Sequence, residues 1–175
     1  MLRLTRRSEY GIIAMTHLAQ RRDEAVSSRD VAERYNIPKR LLAEVMKDLL
    51  HRGLLRSSRG ATGGYILAAD PSEMTVLSVL QALEGPFEMV PCTSTLAAHP
   101  LTSCELLMSC PIKGPIHKIH ERINQMLETV TIDDLARGDA FEFQLGAATR
   151  SNVVSKNIVV NDAPAAPPAS PSILV

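Results

Sequence analysis

Apolar residues recur at helical spacing from the start of the chain. Tyr10, Ile13, Ala14, His17 and Leu18 share one face, which predicts a first helix over residues 6–22. Asp23-Glu24 breaks that pattern. Ser27 or Ser28 then offers an N-cap, and Asp30 puts negative charge into the first turn of a helix over residues 29–35. This helix is expected to bury Val31, Ala32 and Tyr35. Asn36-Ile37-Pro38 makes a tight turn, with Pro38 suited to the first position of the next helix. That helix, over residues 38–52, turns Leu41, Leu42, Val45, Met46 and Leu49 inward and Lys39, Arg40, Ala43, Glu44, Lys47 and Asp48 outward. Gly53 suits its C-terminal cap. Two short helices joined by so short a turn make a helix-turn-helix.

Two β-prone stretches follow, Leu54-Leu55-Arg56-Ser57-Ser58 and Tyr65-Ile66-Leu67, around the Arg-tipped turn Arg59-Gly60-Ala61-Thr62-Gly63-Gly64. They predict a hairpin, and a hairpin placed directly behind a helix-turn-helix is a wing. The glycines are not a phosphate loop, since no Lys-Ser/Thr follows and no helix opens behind them. A short helix over residues 71–84 buries Val76, Val79, Leu80 and Leu83. Residues 85–111 hold Pro86, Pro91, Pro100 and Pro111 and show no clean period, which marks a long loop. Ile112, Ile116, Ile119, Ile123, Met126 and Val130 then repeat at alternating steps of four and three. So narrow a seam suits a helix paired with a second helix, and predicts self-association. A last short helix covers residues 132–137. Beyond residue 143 the period is lost and prolines crowd residues 164–171, which reads as a disordered tail. The fold class expected is mainly α with a small β-hairpin wing: a winged helix-turn-helix over 1–84, a cysteine loop over 85–111, and a dimerisation helix with its short successor over 112–142.

Composition sharpens this picture in two places. Aromatic residues make up only 3% of the chain and Trp is absent, so the core must be aliphatic. The net charge of zero conceals a dipole: residues 1–69 hold 13 Lys/Arg against 7 Asp/Glu, and the remainder 6 against 12. A basic front half points to a polyanionic partner. No run of about 18 apolar residues appears and the N-terminus has no h-region, so neither a membrane span nor a signal peptide is expected, and the compartment expected is the cytoplasm. No Walker lysine, HExxH pattern or nucleophile–base pair is present, so no enzymatic activity is expected.

The only cysteines are Cys92, Cys104 and Cys110, all in the loop behind the head. Their number is odd, and a cytoplasmic chain rarely keeps structural disulfides. Three chemistries stay open on spacing alone: a thiol redox switch, a zinc site, and an iron–sulfur cluster. Structural zinc sites favour short Cys-x2–4-Cys knuckles, which this loop lacks. Thiolates are the standard ligands of iron–sulfur clusters.

Taken together, Leu4-Thr5 through Tyr10, Ala14-Met15, Val31-Ala32 to Ile37-Pro38, Gly53-Leu54, the wing Arg59-Gly60-Ala61-Thr62-Gly63-Gly64-Tyr65 and the downstream cysteines resemble the IscR/NsrR-type winged-helix regulators over about residues 1–138. These are bacterial dimeric transcription factors that often carry an iron–sulfur cluster. The resemblance implies a homodimeric repressor that binds double-stranded DNA at a palindromic operator. It implies a 2Fe–2S or 4Fe–4S cluster on Cys92, Cys104 and Cys110, sensing nitric oxide, redox state or iron–sulfur status. The first gap here is longer than the five residues of the best-known member. Where IscR-like proteins place a His ligand, three residues after the last Cys, this chain has Lys113. NsrR-like proteins use an acidic residue of the partner subunit, and the matching position is Glu9. His99, His117 and His120 are fallbacks, the last two expected as surface residues flanking the dimer helix. In the head, Lys39, Arg40, Ala43 and Glu44 are placed at base edges, with Arg40 reading guanine and Glu44 accepting from cytosine N4. Ser28, Arg29 and Lys47 are placed on phosphates, and Arg59 in the minor groove. The alternatives are a regulator whose cysteines act as thiols or bind zinc, and a zinc-stabilised protein-interaction adaptor.

Overall fold

The computed structural model describes residues 4–22, 24–58, 63–93 and 109–138, all within one compact unit, Met1–Phe143. The wing tip, the loop over 94–108 with Cys104 and His99, and the tail read from residue 143 lie outside the described residues.

Helix α1, Arg6–Ala19, starts at Thr5, whose hydroxyl accepts from the Ser8 amide at 3.1 Å. It ends three residues earlier than the pattern suggests, because residues 20–22 turn away. Helix α2, Ser28–Arg34, is capped by Ser27, whose hydroxyl accepts from the Asp30 amide at 3.1 Å. Asn36 takes a left-handed φ of 52°, one of the few side chains that tolerates it, and this bends the chain into α3, Lys39–His51. Pro38 caps that helix rather than opening it. At its end Gly53, with φ 78°, donates to Leu50 O at 3.0 Å, and Leu54 donates to Leu49 O at 2.9 Å. This pair of bonds is a Schellman motif.

Strands β1, Leu55–Ser58, and β2, Gly64–Leu67, pair antiparallel in the register Leu55↔Leu67 to Ser58↔Gly64. Val26, just ahead of α2, exchanges hydrogen bonds with Tyr65 at 3.0 and 2.8 Å and so ties the wing to the helix-turn-helix. A Cβ on Gly64 would stand 2.5 Å from the Val26 carbonyl oxygen, so this approach requires glycine. Helix α4 spans Val76–Glu84, shorter than the 71–84 expected. Asp70 accepts from Ser72 N at 2.9 Å and Ser72 Oγ at 2.6 Å, which folds residues 70–73 into a turn, and Thr75 then caps a fresh helix start. A 3-10 turn, Pro91–Thr93, precedes helix α5, Lys113–Thr129, and helix α6, Ile132–Arg137, follows.

The core is aliphatic. Ala14, Met15, Val31, Leu42, Val45, Met46, Leu49, Val79 and Ile132 have no exposure, so α1, α3, α4 and α6 close on one centre. Tyr35 departs from expectation: it is 38% exposed, because its hydroxyl reaches back to His17 at the surface edge of the core instead of entering it. Helix α6 docks on α1 through buried Ile132 and through Asp133, which pairs with both Arg22 and Arg137. Val76 donates to Val130 O at 2.9 Å and Ile132 to Met74 O at 2.7 Å. The C-terminal end of α5 is therefore fixed to the head.

Candidate nucleic-acid interface and thiolate site

Helix α3 sorts its residues by period. Leu42, Val45, Met46 and Leu49 are buried, while Lys39, Arg40, Ala43, Glu44 and Lys47 share the opposite, exposed face. Arg40 Nε donates to Glu44 at 3.2 Å, one turn on. Ser28 is half-buried and Arg29 exposed at the start of α2, so both lie at the edge from which α3 projects. Glu33 of α2 joins the two helices: its Oε1 accepts from Lys39 Nζ at 2.7 Å and from Arg29 Nε at 3.1 Å. Those two hydrogen bonds hold the Glu33 carboxyl below the usual carboxylate range. The orientation of α3 is fixed from behind, where Arg7 of α1 pairs with Asp48 in the last turn and also donates to Leu83 O at 3.4 Å. Arg59, expected at the wing tip, lies outside the described residues.

Sequence reasoning missed a polar link under this face. His17 is buried, its Nδ1 lies 3.0 Å from the Tyr35 hydroxyl, and the two rings meet edge to face. Burial lowers the His17 pKa, and Arg21 and Arg34 lower it further. Arg56 on β1 was also passed over. It donates to Ala68 O at 2.8 Å and keeps its charge exposed on the wing. A basic residue alternating with an inward Leu is the only sequence signal for it.

The thiol site is described in part. Cys92 is buried in the 3-10 turn, where the Thr93 hydroxyl accepts from the Val90 amide at 3.4 Å and donates to its carbonyl at 2.8 Å. This turn packs against α5. Cys110 is half-buried just before α5, and its carbonyl accepts from Lys113 N at 3.4 Å. Both are free thiols. Among the described residues no three His, Cys, Asp or Glu side chains converge as a single-ion cage would require. Glu9 is half-exposed on α1 and accepts from Arg6 at 2.9 Å. Lys113, at the position of the IscR-like His, is exposed.

The histidines of α5 are not alike. His120 is only 8% exposed, contrary to the surface position expected, because its ring stacks on Phe87 with centroids 5.6 Å apart. Its Nε2 is 2.9 Å from the Asn124 amide nitrogen, while Nδ1 has no hydrogen-bond partner among the described residues. His117 is half-buried, and its Nε2 likewise has no partner among them. The predicted seam is split. Ile116 and Ile123 are half-buried, whereas Ile112, Ile119 and Met126 are 56, 47 and 40% exposed. Beside them runs a mostly apolar groove of about 330 Å³ lined by Leu4, Leu80, Phe87, Ile123, Met126 and Leu127.

No helix among the described residues is long and apolar enough to cross a membrane. The family model for Rrf2, an iron-dependent transcriptional regulator, matches residues 4–138. The HTH-type transcriptional regulator NsrR of Halalkalibacterium halodurans is 31% identical over 135 residues, covering 77% of this chain and 90% of its own. The solved structure of CymR (YrzC), the global cysteine regulator of B. subtilis, is 28% identical, with a TM-score of 0.61 over 78% of this chain and 98% of that one. T. potens IscR is 27% identical, with a TM-score of 0.60 over 83% of this chain and 94% of the other. A family match that runs from α1 through α6, together with neighbours that share the helix order and the wing, shows that this chain belongs to the Rrf2 family of winged-helix transcriptional regulators.

Proposed function

We propose that this regulator acts as a homodimeric repressor whose grip on a palindromic operator depends on an iron–sulfur cluster held by Cys92, Cys104 and Cys110. The observation that carries the reading is the position of Cys92: a buried free thiol in a turn packed on α5, the helix that carries the exposed apolar seam. The donor set fits a cluster: thiolates are its standard ligands, and the sequence lacks the short Cys-x2–4-Cys knuckle of structural zinc sites. Glu9 supplies the fourth position from the partner subunit in this scheme, which its place on the exposed side of α1 permits. A cluster held by these residues would supply a link between the cysteine loop and the partner's first helix, and its loss to nitric oxide or oxidants would release the loop.

The chain's own residues carry the consequence. The seam of Ile112, Ile119 and Met126 pairs two copies. Its far end is fixed to the head by the Val130 and Met74 bonds and by Asp133. A change in how the Cys92 turn sits on α5 therefore alters the spacing of the two α3 helices, and both must fit the operator at once. Lys39, Arg40, Ala43 and Glu44 read bases; Ser28, Arg29 and Lys47 hold phosphates; Arg59 enters the minor groove. Anaerobic purification tests the cofactor directly. Matched iron and sulfide with a visible spectrum that nitric oxide bleaches is the expected result, abolished in Cys92→Ala. A colourless, iron-free protein after attempted reconstitution leaves the DNA-binding reading standing and moves the switch to thiol or zinc chemistry.

A further inference from the structure

We infer that Glu33 is a built-in counter-charge that weakens the head's sequence-independent grip on DNA, an inference that rests on the placement of α2 and α3 at the duplex. Glu33 lies on α2, one turn after Arg29 and across the Asn36 turn from Lys39, the first residue of α3. One carboxylate oxygen accepts from both cations, at 3.1 and 2.7 Å, and all three side chains are exposed. This edge of the motif therefore presents a net charge of one where two cations would otherwise stand free.

Two features keep the carboxylate in place in the complex. Arg29 engages it through Nε, which leaves its terminal nitrogens unspent, and Lys39 retains two further N–H donors. Both cations can thus reach a phosphate without leaving Glu33. The hydrogen bonds from Lys39 and Arg29 also favour the ionised form of the carboxyl. Glu44 is a different case. It sits within the exposed face of α3, where a base edge is in reach, whereas Glu33 lies on α2 between Arg29, placed on a phosphate, and Lys39, the base-edge residue at the start of α3 whose ammonium also stands in the field of the phosphates. Sequence-independent affinity comes from the counterions that unneutralised cations displace. A carboxylate among them lowers that number and repels the phosphates. The consequence is functional: a regulator competes against a vast excess of non-operator DNA, so a weak general grip sharpens its choice of site.

The test compares wild type with Glu33→Gln, which keeps the side-chain size and the helix. Binding is measured by fluorescence anisotropy across a range of salt. The targets are a mixed-sequence duplex and an operator fragment selected by the wild type from a random pool. The substitution is expected to tighten mixed-sequence binding on the order of threefold to tenfold and to steepen the salt slope by about one. The operator-to-mixed affinity ratio is expected to fall, and an unchanged ratio would remove the effect on site choice. Arg29→Ala and Lys39→Ala, run alongside, should each flatten the slope by about one. If those two flatten it while Glu33→Gln binds equally or more weakly with an unchanged slope, the role given to Glu33 is overturned. If all three leave the slope unchanged, the placement of the interface itself fails.

Discussion

His17 is a buried basic side chain at the edge of the core beside Tyr35, and its neutral form is favoured by burial and by the nearby charges of Arg21 and Arg34. A depressed pKa means that the unfolded chain binds the proton more readily than the folded one. Stability from this group is therefore complete above the unfolded value of about 6.5 and is lost as pH falls from there toward the folded value. The depressed carboxylates Glu33, Asp70 and Asp134 act in a lower window, near pH 4 and below, where falling pH removes their contribution. His17→Gln should flatten the dependence of the unfolding midpoint on pH just below about 6.5 and leave the acid limb in place. Identical profiles for both proteins would refute the assignment. Arg40 shows the opposite situation, a charge held only by an exposed pair with Glu44. Exposed pairs of this kind are weak, so the guanidinium is free to turn to a base. Arg40→Ala and Arg59→Ala should each weaken operator binding by about 1–3 kcal/mol without changing the oligomeric state. A mobility-shift titration indistinguishable from wild type would remove either residue from the interface.

At the scale of elements, the two helices of the motif and the hairpin were legible because each carries its own punctuation. Ser27, Asn36 and Gly53 mark caps and turns by chemistry that needs no tertiary partner. The start of α4 was not legible. The sequence shows an apolar period from Pro71, but Asp70 captures Ser72 locally and Thr75 offers a second cap, and local hydrogen bonds win over periodicity. His120 and Tyr35 were misjudged for a related reason. An amphipathic side chain takes its place from a partner distant in sequence, Phe87 for one and His17 for the other, and no spacing rule encodes that. The seam of α5 was read correctly as an apolar stripe, yet only the fold shows that Ile116 and Ile123 are half-buried while Ile112, Ile119 and Met126 are left exposed. Those three should carry self-association. Ile119→Glu should convert the protein to monomers in sedimentation, with its helical content kept and operator affinity lost. A dimer that survives this substitution would place the interface elsewhere.

At the scale of the whole molecule, the C-terminal end of α5 is tied to the head by the bonds of Val76 to Val130 and Ile132 to Met74. Helix α1 holds α3 through Arg7–Asp48, Arg22 in the turn behind α1 pairs with Asp133 of α6, and α5 runs from just after Cys110 to the residues that lead into α6. The order of elements and the exposed polar face of α3 could be read from the sequence. The cysteine chemistry could be narrowed only to a family resemblance, because thiolate spacing in a long loop fixes no geometry. The direct test is operator affinity at one salt concentration, for protein purified without oxygen and then for the same preparation after cluster removal. The two forms are expected to differ by at least about fivefold on some operator. Equal affinity on every operator tested, with the cluster verified in one form and absent from the other, would contradict control of DNA binding by the cysteine site.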